Sequence, residues 1–221
     1  MGCRITAAYL CIEEKGNDMI KNIILDVGKV LVEWDSNYAF QKLGFDENAS
    51  RLVAEATVLS PDWNELDRSK LSDQEILAKF IANAPEYEKE IRMVWENIGL
   101  PIWQYEYVKP WIRNMKQCGY HVYILSNYSR WTYENTQEAL SFLQDVDGAV
   151  FSFQVQQIKP EPEIYQSLLK KYDLKAEECV FLDDRQENLD AAMAQGIAGI
   201  RFTGYEDALE QLCTYGVDLT K

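Results

Sequence analysis

Asn22-Ile23-Ile24-Leu25-Asp26-Val27-Gly28-Lys29-Val30-Leu31-Val32 is an apolar run ending in an aspartate, with a glycine two residues on and a second apolar run behind it. A short run without polar alternation predicts a strand buried on both faces, as in a parallel sheet. Such a strand delivers Asp26 at its C-terminal end, the edge of an open α/β sheet where ligands bind. Alone, the pattern equally describes an aspartate capping a turn after a core strand. Its meaning therefore depends on what the rest of the chain brings to the same edge.

Downstream, the pattern changes twice. From about Tyr38 to Ile98 the chain reads as helices, including Ala39–Leu43 and Glu47–Thr57, with Glu33 to Asn37 as a loop leaving the sheet. Ser72-Asp73-Gln74-Glu75 is a capping box that opens a helix to about Ala82. Pro85 begins another helix, with Tyr87, Ile91, Val94 and Trp95 on one face. From Tyr105 the chain alternates regularly. Strands are predicted at His121–Leu125, about Ala149–Ser152, Cys179–Leu182 and Gly199–Phe202, with helices of about ten residues between them. This order predicts an α/β fold, a doubly wound parallel sheet with an inserted helical cap. The expected boundaries are a core of residues 19–36 and 101–221 and a cap of residues 37–100. Residues 1–18 read as an extension or loosely packed arm. Met1-Gly2-Cys3-Arg4-Ile5-Thr6 formally matches a myristoylation pattern there.

Composition narrows the function. The 221 residues carry a net charge of -14, which argues against nucleic acid as a general partner. An acidic surface does not steer an anionic substrate, so a phosphate site needs a local concentration of donors or metal. The five cysteines are spread out with no metal-ligand or redox spacing, which suits free thiols in a reducing, cytoplasmic setting. A single histidine, His121, leaves no basis for a histidine-built zinc site, and its place at a strand start suits a structural role. No apolar stretch approaches the roughly 20 residues of a membrane span. A monomer is expected.

Three predicted strands end in polar residues: Asp26, Ser126-Asn127 and Asp183-Asp184. Lys159 lies in a loop near a fourth. A carboxylate, a hydroxyl, a lysine and a carboxylate pair on one edge suit phosphoryl transfer through an aspartyl-phosphate, assisted by a hard divalent cation. Two acids at the end of a buried strand are costly without a cation. Trp63 and Arg68 precede the capped helix, where a cap loop can face the substrate. Trp63, Trp95, Trp103, Trp111 and Trp131 also read as core or cap packing.

Four motifs carry a resemblance: Asp26-Val27-Gly28-Lys29-Val30; Leu125-Ser126-Asn127; Lys159-Pro160-Glu161-Pro162-Glu163-Ile164-Tyr165; and Phe181-Leu182-Asp183-Asp184 followed by Asn188. In this order the chain resembles the haloacid dehalogenase (HAD) superfamily over residues 22–212, with an insertion resembling a C1-type cap. The nearest flavour is bacterial glucose-1-phosphate phosphatases and the phosphatase domain of soluble epoxide hydrolases. The resemblance implies Asp26 as nucleophile and Mg²⁺ ligand, and the Gly28 carbonyl as a second ligand. It implies Ser126 and Asn127 as phosphate-binding, and Lys159 as partner of the phosphoryl group and of Asp26. Asp184 is then the principal acidic metal ligand, Asp183 an auxiliary one, and Asn188 orients the loop. Gly28 departs from the family pattern, in which a second aspartate there acts as general acid and base. Such help is worth about 10²–10⁴ in rate, so its absence favours a good leaving group such as a sugar 1-phosphate.

Three functions stay open. The first is a Mg²⁺-dependent phosphatase of a small phosphorylated metabolite, such as a hexose 1-phosphate. The second is a catalytically weak or inactive binding or regulatory protein on the same fold. The third is a metal-independent haloacid dehalogenase, which the Asp183-Asp184 pair disfavours.

Overall fold

The computed structural model describes residues 20–220. The expected N-terminal arm and its acylation pattern, residues 1–18, lie outside the described residues. Seven strands form among the described residues: β1 (Asn22–Leu25), β2 (Val32–Trp34), β3 (Ile102–Gln104), β4 (His121–Ser126), β5 (Gly148–Phe151), β6 (Cys179–Asp183) and β7 (Ala198–Arg201). Five make one parallel sheet in the order β5-β4-β1-β6-β7. β1 is therefore the centre of the sheet.

β1 is buried on both faces because its side chains alternate. Ile23 and Leu25 join Val122, Ile124, Trp111 and Leu212 on one side. Ile24 joins Leu125, Phe181, Ile164 and Leu168 on the other. Full burial of each such aliphatic chain contributes about 1.5–3 kcal/mol. A continuous apolar run is thus what a central parallel strand requires.

The insertion comprises α1 (Ser36–Lys42), α2 (Glu47–Ala56), α3 (Asp62–Arg68), α4 (Asp73–Asn83) and α5 (Glu88–Glu96). It holds its own apolar cluster, centred on Phe40, Val53, Leu66, Phe80, Ile91 and Trp95. The Ser72–Glu75 capping box forms at the start of α4. After the insertion come α6 (Val108–Gln117), α7 (Arg130–Asn135), α8 (Ser152–Val155), α9 (Pro162–Tyr172), α10 (Gln186–Ala194) and α11 (Tyr205–Thr214).

Four local expectations are corrected. Glu33 is not in a loop: β2 pairs antiparallel with β3, with Glu33 opposite Trp103, and the two strands carry the chain out to the insertion and back. Asp35 then caps α1 by accepting from the Tyr38 N–H at 3.0 Å. Trp63 and Arg68 lie on helix α3 rather than in a loop. Acidic Asp62 and Glu65 occupy its first turn, and left-handed Ser69 ends it, donating its N–H to Glu65 and Leu66. Pro85 opens a single 3-10 turn, and α5 begins only at Glu88. Trp103 is not core: it is 41% exposed and packs edge-on against Tyr38. Trp95, Trp111 and Trp131 pack as expected, with Trp95 and Trp131 stacked 5.3 Å apart across the insertion–core boundary. No helix among the described residues is long and apolar enough to cross a membrane.

Candidate active site

Strand order brings the polar tips together. Neighbouring strands lie about 4.8 Å apart, and β1 lies between β4 and β6. Leu25 pairs with Ile124 and with Leu182, so Asp26 comes level with Asp183, and Ser126 ends the other flanking strand one residue beyond Leu125. The Asp26 N–H continues the ladder to the Leu182 carbonyl at 2.9 Å.

Lys159 is buried and its ammonium bridges the site, 2.7 Å from Asp26 Oδ1 and 2.7 Å from Asp183 Oδ2. Burial alone pushes the pKa of that ammonium down. Attraction to Asp183 and Asp26, with both hydrogen bonds, outweighs it and holds the group above the usual lysine range. Burial pushes Asp26 up to about 7, aided by Asp183 and Asp184 and opposed by Lys159. Asn127 braces the lysine loop: its Oδ1 accepts from the Lys159 N–H at 2.7 Å and its Nδ2 donates to the Lys159 carbonyl at 3.0 Å. The amide of Asn127 is thus committed to Lys159 backbone. Ser126 is buried, and among the described residues its hydroxyl makes one contact, at 3.5 Å to the Asn127 carbonyl.

The two adjacent aspartates differ sharply. Asp183 is fully buried and accepts from Lys159, from both contacts of Asn188 Nδ2 at 2.9 and 3.0 Å, and from the Arg185 N–H at 2.8 Å. Asp184 is half-buried and faces the cleft. Burial and then the neighbouring Asp183 raise its pKa. Carboxylate oxygens of Asp26, Asp183 and Asp184 lie within 4.8 Å of one another. Asn188 Oδ1 is buried and has no hydrogen-bond partner among the described residues. Three carboxylates beside one ammonium, plus an unsatisfied amide oxygen, form an all-oxygen donor set that fits a hard divalent cation.

Asp26, Ser126, Asn127, Lys159, Asp184 and Asn188 line one cleft of about 620 Å³ between the sheet edge and the insertion. Gly28 lines it too, and a Cβ built there meets nothing within 4 Å. Trp63 lines it as well, with Trp34 packed edge-on at 5.3 Å. Arg68 is not among the lining residues. Its guanidinium forms a two-pronged ion pair with Glu161, one contact at 2.7 Å, and clamps the insertion to the loop after Lys159.

Among the lining residues that sequence reasoning missed is Asp67, next to Arg68. Asp67 is buried, and among the described residues its carboxylate has no hydrogen bond or ion pair. An aspartate on a short helix carries no local signal of this; only the docking of α3 onto the core reveals it.

A sequence model of haloacid dehalogenase-like hydrolases matches residues 20–196. The chain belongs to that family. Among characterised relatives, the D-ribitol-5-phosphate phosphatase of Bacteroides thetaiotaomicron is 27% identical over 184 residues, covering 77% of this chain and 86% of that protein. The sesquiterpene phosphatase astK of Aspergillus oryzae is 24% identical over 188 residues, covering 83% and 90%. In structure, a HAD family enzyme from Bacteroides thetaiotaomicron in complex with magnesium and inorganic phosphate superposes with a TM-score of 0.68 at 20% identity, covering 86% of this chain and 98% of that one.

Proposed function

We propose that the protein is a Mg²⁺-dependent phosphatase of a small phosphomonoester that works through an aspartyl-phosphate on Asp26. The single observation that carries this reading is the Asp26–Lys159–Asp183 bridge next to a cleft-facing Asp184, on an all-oxygen cluster at the central strand tip. That relatives of similar length are named phosphatases supports the same reading. The cluster of three carboxylates also favours this reading over dehalogenation, since it calls for a cation.

In this reading Lys159 holds Asp26 Oδ1, which leaves Oδ2 to attack phosphorus. The hydroxyl of Ser126 and the ammonium of Lys159 receive the phosphoryl oxygens. Asp26, Asp184 and the Gly28 carbonyl hold Mg²⁺, with Asp183 and Asn188 behind them. The bound ion supplies neutralisation of the phosphoryl charge. Asn127 and Asn188 keep Lys159 and Asp183 in place.

The far wall of the cleft sets the substrate. Ser60 and Asn64, which line the cleft together with Trp63, support a sugar phosphate, such as a hexose 1-phosphate. Leu59 supports a second reading: it is 72% exposed at the same cleft, next to Val58 and Trp34, where a phosphate of an apolar alcohol finds contact. A panel of sugar, polyol, nucleotide and prenyl monophosphates, assayed with Mg²⁺ and with EDTA, separates these. Phosphate release that needs Mg²⁺ and disappears in Asp26→Asn supports the reading; full activity in that variant contradicts it.

A further inference from the structure

The proposed reaction needs a proton donor for the departing alcohol and a base for the water that releases the phosphate. Gly28 supplies neither. Each other titratable side chain lining the cleft near Asp26 is already committed. Lys159 is bonded to two carboxylates, and Asp184 belongs to the cation cluster. Lys29 is exposed and paired with Glu33, and Arg185 is exposed and paired with Glu187. Tyr128 Oη is bonded to Thr136 at 2.8 Å. Asp67 is the exception among the described residues: a buried carboxylate lining the cleft with no partner.

We infer that Asp67, carried on the insertion, is the proton-transfer residue of this reaction. The inference rests on the phosphatase reading above. As Asp26 Oδ2 bonds to phosphorus and the ester P–O bond breaks, the carboxylic proton of Asp67 passes to the departing oxygen. The carboxylate of Asp67 then takes a proton from water. The water oxygen bonds to phosphorus while the bond to Asp26 breaks, and inorganic phosphate leaves with both residues restored.

Three contacts position the group. The Asp67 carbonyl accepts from Ser152 Oγ at 2.7 Å, Arg68 is clamped to Glu161, and Ser69 Oγ accepts from the Arg130 N–H at 3.1 Å. Three consecutive residues of the insertion are thus pinned to the core, so docking of the insertion and delivery of the acid are one event. The surroundings suit the role. Burial raises Asp67 to about 7, with Lys159 and Arg185 pulling down and Asp26 pushing up, a range suited to both giving and taking a proton.

The test uses the full chain with Mg²⁺, rapid quench, and two probes: 4-nitrophenyl phosphate, whose phenolate leaves unaided, and an alkyl phosphomonoester. In Asp67→Asn, phosphoenzyme should form from the nitrophenyl ester at close to the wild-type rate and then accumulate. Formation from the alkyl ester should fall by about 10²–10⁴. Gly28 has an ordinary φ and open space, so Gly28→Asp in the Asp67→Asn background should restore turnover at least about tenfold. Asp67→Ala, with and without Gly28→Asp, repeats the comparison should the Asp67→Asn variant misfold. A change confined to KM, or alkyl turnover within about threefold of wild type, would overturn the inference. Wild type that releases no phosphate from any ester overturns the phosphatase reading itself and is seen before any variant is made.

Discussion

Asp67→Asn should stabilise the protein selectively at alkaline pH. The wild-type carboxyl titrates at about 7 in the folded protein and at 3.8 in the unfolded chain, because folding removes it from water without giving it a partner. Its contribution to stability is therefore complete below 3.8 and is lost as pH rises through about 7. At about 1.4 kcal/mol per pH unit, the gap corresponds to about 4 kcal/mol at full ionisation. Roughly half of that is already lost by about pH 5.5, and nearly all by about pH 8.5. A neutral amide of similar shape carries no such dependence, so the variant should gain about 2 kcal/mol on wild type between those two pH values. For a chain of this size that is a relative shift of roughly 4–8 °C in Tm. Urea unfolding of both proteins in EDTA, at the two pH values, measures it directly, since no cation then alters the local charge. Parallel pH profiles for the two proteins would show that Asp67 is solvated or paired, and the reasoning would fail.

Other perturbations follow from the same geometry. Lys159→Met strips the ammonium from Asp26 and Asp183 and should cost about 3–5 kcal/mol in urea unfolding, together with all phosphatase activity. Arg68→Ala removes a partly exposed clamp, so stability should fall by about 1 kcal/mol or less, while kcat/KM drops because Asp67 is no longer held. Ser72→Ala breaks the capping box of α4 and should lower stability by about 1 kcal/mol with activity unchanged, as thermal melts and a standard assay would report. Mg²⁺ at about 100 times its Kd should add about 2.7 kcal/mol of stability, and that gain should vanish in Asp184→Ala.

What was legible in the sequence was local. The buried run before Asp26, the alternation after Tyr105 and the polar residues at three strand tips each depend on a few neighbouring residues, and parallel packing then forces the tips together. The separate roles of Asp183 and Asp184 were expected from motif alignment. Their surroundings differ, since Asp183 spends both oxygens on Lys159, Asn188 and Arg185 backbone while Asp184 faces the cleft. What escaped was non-local. Glu33 becomes a strand residue because its partner, Trp103, comes from the far end of the insertion. Arg68 reads as a substrate contact until the fold sets it against Glu161, 93 positions along the chain. Asp67 looks like any helical acid until α3 docks onto the core and buries most of it at the wall of the cleft.

The central claim is that Asp26 becomes phosphorylated. Wild-type protein, mixed with Mg²⁺ and a substrate found in the panel and quenched in acid within one turnover, should yield a peptide spanning Asp26 heavier by one phosphoryl group. The adduct should be labile to hydroxylamine, as an acyl phosphate is, and absent in Asp26→Asn. Phosphate release with no adduct on that peptide, or an adduct on a different residue, would contradict the account.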